Sequence, residues 1–229
     1  MCAQCGLPMA AGLTESSSAL LCGACRTDKF HFDLARVYGL YRGVLRRLIL
    51  QLKFRRRERL AQRLGSLLAG VWQQNEAVAR SETPLVVPVP LHPLRERERG
   101  FNQSWLLARE LVRSLPASAR AKTLRLDRRL LARVRMTAPQ TGLSLSARRE
   151  NVRGGFRVRW PERVRGGSIV LVDDVMTTGA TLSACAAALR AAGATQVFAL
   201  AVARATPQFP DFPLSTADTE VDARAGEQT

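Results

Sequence analysis

The spacing of hydrophobic residues changes several times along the chain, and each change marks an element. Val37 to Tyr41 reads as a short strand. Val44 to Phe54 then sets Leu45, Leu48, Ile49 and Leu52 at helical spacing with arginines on the opposite face, and Arg59 to Trp72 repeats the amphipathic pattern. After Pro84, the run Leu85-Val86-Val87-Pro88-Val89-Pro90 predicts a buried strand. Its prolines should confine it to a sheet edge or a strand end. Asn102 suits the N-cap of a helix reaching about Leu115, striped by Leu106, Leu107 and Leu111.

Residues 116 to 150 are basic and weakly periodic, which predicts a long loop or lid with a short helix near its end. Periodicity then returns. Ser168 to Val172 is the clearest strand, Ala180 to Ala192 the clearest helix, and Gln196 to Ala203 the next strand, entered through the helix stop Ala192-Gly193-Ala194. Strand, helix, strand in that order is a βαβ unit and implies a parallel sheet with a right-handed crossover. The expected fold class is therefore α/β, a parallel twisted sheet flanked by helices. Residues 1–33 form a small separate module, 34–206 the main domain, and 207–229 an acidic, proline-containing tail that frays.

A chain of 229 residues can bury one sizeable core and carry a small appended module. No apolar run approaches the roughly 20 residues that cross a bilayer. The start, Met1-Cys2-Ala3-Gln4-Cys5, lacks the basic and apolar regions of a secretory signal, so a cytoplasmic protein without membrane insertion is expected. The net charge is +16, and lysine appears only at Lys29, Lys53 and Lys122, leaving arginine 32 of the 35 positive charges. Arg95 to Arg165 holds 19 basic against 6 acidic residues, and Arg42 to Arg63 holds 9 against 1. Such clusters suit a polyphosphate, a nucleic acid, or both. An arginine-rich solvated surface, arising from composition bias, is the plain alternative.

The segment Ile169-Val170-Leu171-Val172-Asp173-Asp174-Val175-Met176-Thr177-Thr178-Gly179-Ala180-Thr181-Leu182 carries the candidate chemistry. Four apolar strand residues lead to two acids, then to a hydroxyl-rich loop that opens a helix. Ligands of open α/β sheets gather at the carboxyl ends of strands. A helix start offers unpaired N–H donors and a dipole that favours phosphate. Gly179 allows close backbone approach, and Thr177, Thr178 and Thr181 add hydroxyls. Adjacent carboxylates at a buried strand end repel, so Asp173 and Asp174 call for ribose hydroxyls or a divalent cation. The alternative is an ordinary capping loop with a solvated acid pair.

Cys2-x-x-Cys5 and Cys22-x-x-Cys25, sixteen residues apart, have zinc-ribbon spacing. Four thiolates would close a structural tetrahedral site. Disulfides are the competing reading, disfavoured in a cytosolic chain. Cys185 reads as a small buried hydrophobe.

The strand, acid pair and Thr/Gly loop closely resemble the phosphoribosyl pyrophosphate signature of type I phosphoribosyltransferases. The four cysteines, Val87-Pro88-Val89-Pro90, Arg99-Gly100-Phe101-Asn102-Gln103, Gln140, Arg149, Asn151 and Phe156, taken with that signature, resemble the competence protein ComF family across residues 2 to about 204. The resemblance implies that Asp173 and Asp174 meet the ribose 2′- and 3′-hydroxyls directly or through Mg²⁺. It implies that Met176 to Thr181 (Met176, Thr177, Thr178, Gly179, Ala180 and Thr181), entered through Val175, wrap the 5′-phosphate. A loop at Pro90 to Leu94 would take the pyrophosphate, with His92, Arg99 and Asn102 as binding candidates and Arg133, Arg135 and Arg149 as closing arginines. Either aspartate could act as general base, although no residue block identifies an acceptor. ComF resemblance also implies a role in DNA uptake, with single-stranded DNA and uptake proteins as partners. A non-catalytic nucleic-acid-binding accessory protein, using the transferase fold as scaffold or sensor, is the alternative.

Overall fold

The structure, a computed structural model, describes residues 1–9, 20–27, 30–54, 58–75, 84–116, 124–135 and 154–205. A short helix α1 (Gly23–Thr27) carries part of the second cysteine pair, and strand β1 (Leu34–Leu40) begins the main sheet. Helices α2 (Gly43–Phe54) and α3 (Arg59–Gln74) precede strand β2 (Leu85–Pro88), which is followed by α4 (Pro93–Arg99) and α5 (Gln103–Ser114). Short strands β3 (Arg125–Leu126), β4 (Leu131–Arg133) and β5 (Phe156–Val158) come next, then β6 (Ser168–Met176), α6 (Ala180–Ala191) and β7 (Gln196–Arg204).

Among the described residues, five strands lie in the order β1-β7-β6-β2-β3, all paired in parallel. Alternation along β6 shows why. Ile169 and Leu171 face a layer containing Leu182, Cys185 and Leu189 of α6, whereas Val170 and Val172 face Leu64 and Leu68 of α3 and Leu107 and Leu111 of α5. A strand covered on both faces has to be apolar at nearly every position, which is how β6 and β7 read.

The prolines of β2 resolve by position. The strand lies between β6 and β3, not at an edge. Its residues alternate: the carbonyls of Pro84 and Val86 accept from Arg125 and Asp127, while the N–H of Val89 turns the other way to Val172. Pro88 therefore lacks its N–H on the β3 side, and β3 has ended by Leu126.

Two stretches differ from expectation. The loop expected at Pro90 to Leu94 passes at Pro93 into a helix, Pro93–Arg99, with His92 at the N-cap, Pro93 at the first turn and Gly100 closing it at φ 82°. No residue of α4 is buried, so it has no apolar stripe, and its caps are its sequence signal. Part of the expected lid instead forms β4, paired antiparallel with β5 beyond the lid's end, and these three-residue strands are too short to show a period. The expected short helix, Gln140, Arg149 and Asn151, and the acidic tail at 207–229, lie outside the described residues.

Helices α3 and α5 cross closely at Gly65, where an added Cβ would stand 2.5 Å from Glu110 Cβ and 2.9 Å from Leu111 N. At Gly70, on the same helix, an added Cβ meets nothing within 4 Å. Gly65→Ala should therefore destabilise the fold by about 2 kcal/mol or more through overpacking. Gly70→Ala should gain roughly 0.5–1 kcal/mol through helix propensity. Thermal denaturation checks this; similar shifts for both variants would contradict the close crossing.

Candidate functional site

Helix α6, which leaves β6, packs on one face of the sheet, and α5, which follows β2, packs on the other. The carboxyl ends of β2 and β6, hydrogen-bonded neighbours, thus flank a topological switch point where the chain opens a crevice. Asp173 and Asp174 sit there, inside β6 near its end, 8% and 4% exposed.

Burying adjacent carboxylates requires partners, and three elements supply them. Lys53, from the last turn of α2, makes an ion pair with Asp174. Ser104 Oγ on α5 donates to Asp173 Oδ1 at 2.8 Å, as does the Asp174 backbone N–H at 2.9 Å. Gln103, the residue before Ser104 on α5, also helps to lower the pKa of Asp174. Burial and then the neighbouring Asp174 push Asp173 up to about 7. Burial would raise Asp174 as well, but the Lys53 ammonium outweighs it and holds that carboxyl below its ordinary value. The pair thus splits into an ionised acceptor and an acid that titrates near neutrality, a division typical of acid–base sites.

Beyond Asp174 the strand continues through half-buried Val175 to Met176, which is 1% exposed in the core and whose carbonyl accepts from Ala205 N. Thr177, Thr178 and Gly179 form the turn. Thr178 Oγ1 accepts from Ala180 N at 3.2 Å, and Gly179 adopts φ 81° before α6 begins. A Cβ on Gly179 would lie 2.9 Å from Met176 Cε and 3.1 Å from the Phe30 ring. Ala180 is buried and Thr181 half-buried in the first turn.

Two candidates serve a different purpose from the expected anion contact. Asn102 Oδ1 accepts from Ser104 N (2.9 Å) and Trp105 N (3.3 Å), and its Nδ2 donates to Val89 O (3.0 Å). Its amide is spent on capping α5 and tying it to the loop after β2. His92 Nδ1 accepts from Leu94 N at 3.4 Å as the α4 cap, so an anion could meet only its other ring nitrogen. Arg99 lies over the Phe54 ring at 5.4 Å and donates to Gln103 Oε1 at 2.7 Å. Burial lowers its pKa against the pull of Asp174. Arg133 of β4 is lowered by burial and by Arg95, and it feels Asp173, which sets both arginines toward the acid pair. Arg135 is exposed, and Arg149 lies outside the described residues. Lys53, Gln103 and Ser104 were missed as site residues. The rarity of lysine was the one available signal for Lys53.

Cys2, Cys5, Cys22 and Cys25 are all buried, with their sulfur atoms within 4.8 Å of one another. These four thiols can hold one metal ion such as zinc, with no position left for substrate. Burial would raise Cys2, yet the N–H groups of Cys5 and Cys22 hold it down at about 6; burial drives Cys5 up to about 11 and Cys25 higher still. Arg204, 5% exposed, brings Nη2 within 3.9 Å of Cys5 Sγ, placing a cation against the sulfur cluster. No helix among the described residues is long and apolar enough to cross a membrane.

Asp173→Asn keeps an oxygen for Ser104 while removing the repulsion with Asp174. A group whose folded pKa is raised adds stability at low pH that is lost as pH rises through about 7. The variant should therefore melt about 3 °C higher than the wild type at pH 8, a gain of about 1 kcal/mol, with a smaller gain at pH 5 and none below about pH 4. Asp174→Asn should instead lower stability by about 3 kcal/mol, because it strands the Lys53 charge. Melting curves at these pH values check both; a lower melting point for Asp173→Asn at pH 8 would contradict the charge assignment.

Comparison with known proteins agrees with this arrangement. The phosphoribosyl transferase domain model matches residues 106–220. The DNA utilization protein YhgH of Salmonella typhimurium is 37% identical over 202 residues, covering 86% of this chain and 81% of the relative. YhgH of Escherichia coli (strain K12) is 36% identical over 198 residues, with the same coverage. Competence protein F of Haemophilus influenzae is 30% identical over 190 residues, covering 80% of this chain and 78% of the relative. With its parallel sheet, its acid pair at the switch point and its four converging cysteines, the chain belongs to the ComF family of phosphoribosyltransferase-like proteins.

Proposed function

We propose that this chain binds phosphoribosyl pyrophosphate at the end of β6 and acts in DNA utilization. The observation that carries the reading is the buried acid pair, directly followed by a Thr/Gly turn that opens α6. In this reading Asp173 and Asp174 accept hydrogen bonds from the ribose 2′- and 3′-hydroxyls. The backbone N–H groups of Thr177 to Thr181 and the threonine hydroxyls hold the 5′-phosphate. Arg95, Arg99 and Arg133 supply positive charge for the pyrophosphate.

A leaving pyrophosphate needs its growing charge balanced, and fixed arginines do so without reorganising. Asp173, titrating near pH 7, suits a general base for the incoming nucleophile. The acceptor is left open. Magnesium enters this reading as a counter-ion of the diphosphate and supplies charge neutralisation there. The acid pair itself does not fit it, since Lys53 already holds Asp174. Zinc fits the four cysteines, whose role is then structural.

The relatives named DNA utilization protein and Competence protein F support placing this activity in DNA uptake, with single-stranded DNA and uptake proteins as partners. One observation favours a second reading, a nucleic-acid-binding scaffold without turnover. Arg128 lies over Trp105 at 5.2 Å and Arg163 over Trp160 at 4.6 Å, so at two places a cation is paired with an aromatic ring.

Isothermal titration separates the two. Phosphoribosyl pyrophosphate should bind, and the combined Asp173→Asn and Asp174→Asn substitution should weaken it about 100-fold, the effect of losing two hydrogen bonds to charged acceptors. The scaffold reading expects no heat with the sugar, and oligonucleotide binding that the double substitution leaves unchanged.

A further inference from the structure

Lys53 is the one lysine among the described residues of a chain that otherwise uses arginine, and it stands on the acid pair. Its side chain is 20% exposed and that of Asp174 5%. It reaches the pair from α2, on the face of the sheet where α3 and α5 also pack, while Gln103 and Ser104 reach it from α5. Arg99 feels the charge of Asp174 and Arg133 that of Asp173, and Arg95 is near enough to repel both arginines. The cation in contact with the carboxylates is a compact ammonium.

We propose that the Lys53 ammonium is the resident counter-ion of the acid pair and keeps divalent metal off it, so that the site takes the ribose 5-phosphate end of its ligand without a metal on the aspartates. The inference deepens the binding reading above and rests on it for the identity of the sugar.

When both aspartates are ionised Lys53 reduces their formal charge from −2 to −1, and when Asp173 is protonated it neutralises the pair. A hard divalent cation draws its binding energy from several anionic oxygens in an adjustable shell. Here Asp174 is committed to an ammonium, and Asp173 Oδ1 already accepts from Ser104 and from the Asp174 N–H. A metal on Asp174 would also stand against the Lys53 charge with little water between them. Neutral hydroxyl donors meet no such repulsion and gain from an acceptor that the lysine keeps ionised. Lysine suits the position because its charge is a point on a flexible stem with three donors, so it can hold Asp174 without covering the carboxylate face as a planar guanidinium would.

The test is a Mn²⁺ titration of the full-length, zinc-loaded protein, reading free Mn²⁺ by its paramagnetic resonance signal. Wild type and Asp174→Asn should bind Mn²⁺ alike, showing no uptake that depends on the acid pair. Lys53→Met should gain a site at least about tenfold tighter than any in the wild type, and the Lys53→Met/Asp174→Asn double variant should lose it. Uptake by the wild type that Asp174→Asn abolishes would overturn the proposal, and so would a folded Lys53→Met that gains nothing. If Lys53→Met fails to fold, the wild-type comparison decides the question alone.

Calorimetry with ribose 5-phosphate forms the second arm. Wild-type affinity should stay within about twofold whether magnesium is removed or present at millimolar concentration, and a strict magnesium requirement would overturn the proposal. Absence of ribose 5-phosphate binding under every condition would sink the binding reading instead, while the Mn²⁺ result would still decide the role of Lys53.

Discussion

Two carboxylates buried side by side at the end of a central strand are the constraint around which the rest of this molecule is arranged. Left alone, Asp173 and Asp174 would each demand water or a proton. Lys53 answers one and Ser104 the other, and those two residues come from helices separated by some 50 positions in sequence. The end of α2 and the start of α5 are thus held at the same point of the sheet. Asn102 locks the second of them to the β2 loop through Val89. Stability and site geometry share a cause here, because the groups that make burial of the acids tolerable also fix where the acids point.

The opposite face shows the same economy. Phe30 stacks on Phe32 with centroids 4.9 Å apart and lies against Gly179, and His31 N donates to Ser183 Oγ on α6. The chain leaving the cysteine cluster therefore forms one wall of the turn before α6. The cluster itself belongs to the same apolar layer as Met176, Ala180 and Leu182. A metal held by those cysteines would stiffen the layer that backs the turn, which gives a structural ion a physical link to the site.

Much of this was legible from residues alone, for a reason that also explains what was not. β6, its turn and α6 are contiguous, so strand period, acid pair, glycine and helix period follow one another in the sequence. The α5 cap at Asn102 is equally local, and its cap chemistry was readable, although its amide proved to be spent on that cap and on Val89. Lys53 was not readable as a site residue, because its partner lies 121 positions away and its neighbours form a generic basic amphipathic helix. α4 and the β4–β5 pair escaped because neither has enough buried positions to impose a period. Local chemistry writes itself into sequence; contacts made by folding do not.

The central claim is that the acid pair reads two adjacent ribose hydroxyls. The most direct measurement compares the affinities of ribose 5-phosphate and 2-deoxyribose 5-phosphate, which share the phosphate and differ by the 2′-hydroxyl that a carboxylate would accept. The account predicts that the deoxy sugar binds about tenfold more weakly or worse, as expected for a lost hydrogen bond to a charged group. Equal affinities would mean that the aspartates do not touch the sugar, and the account would fail.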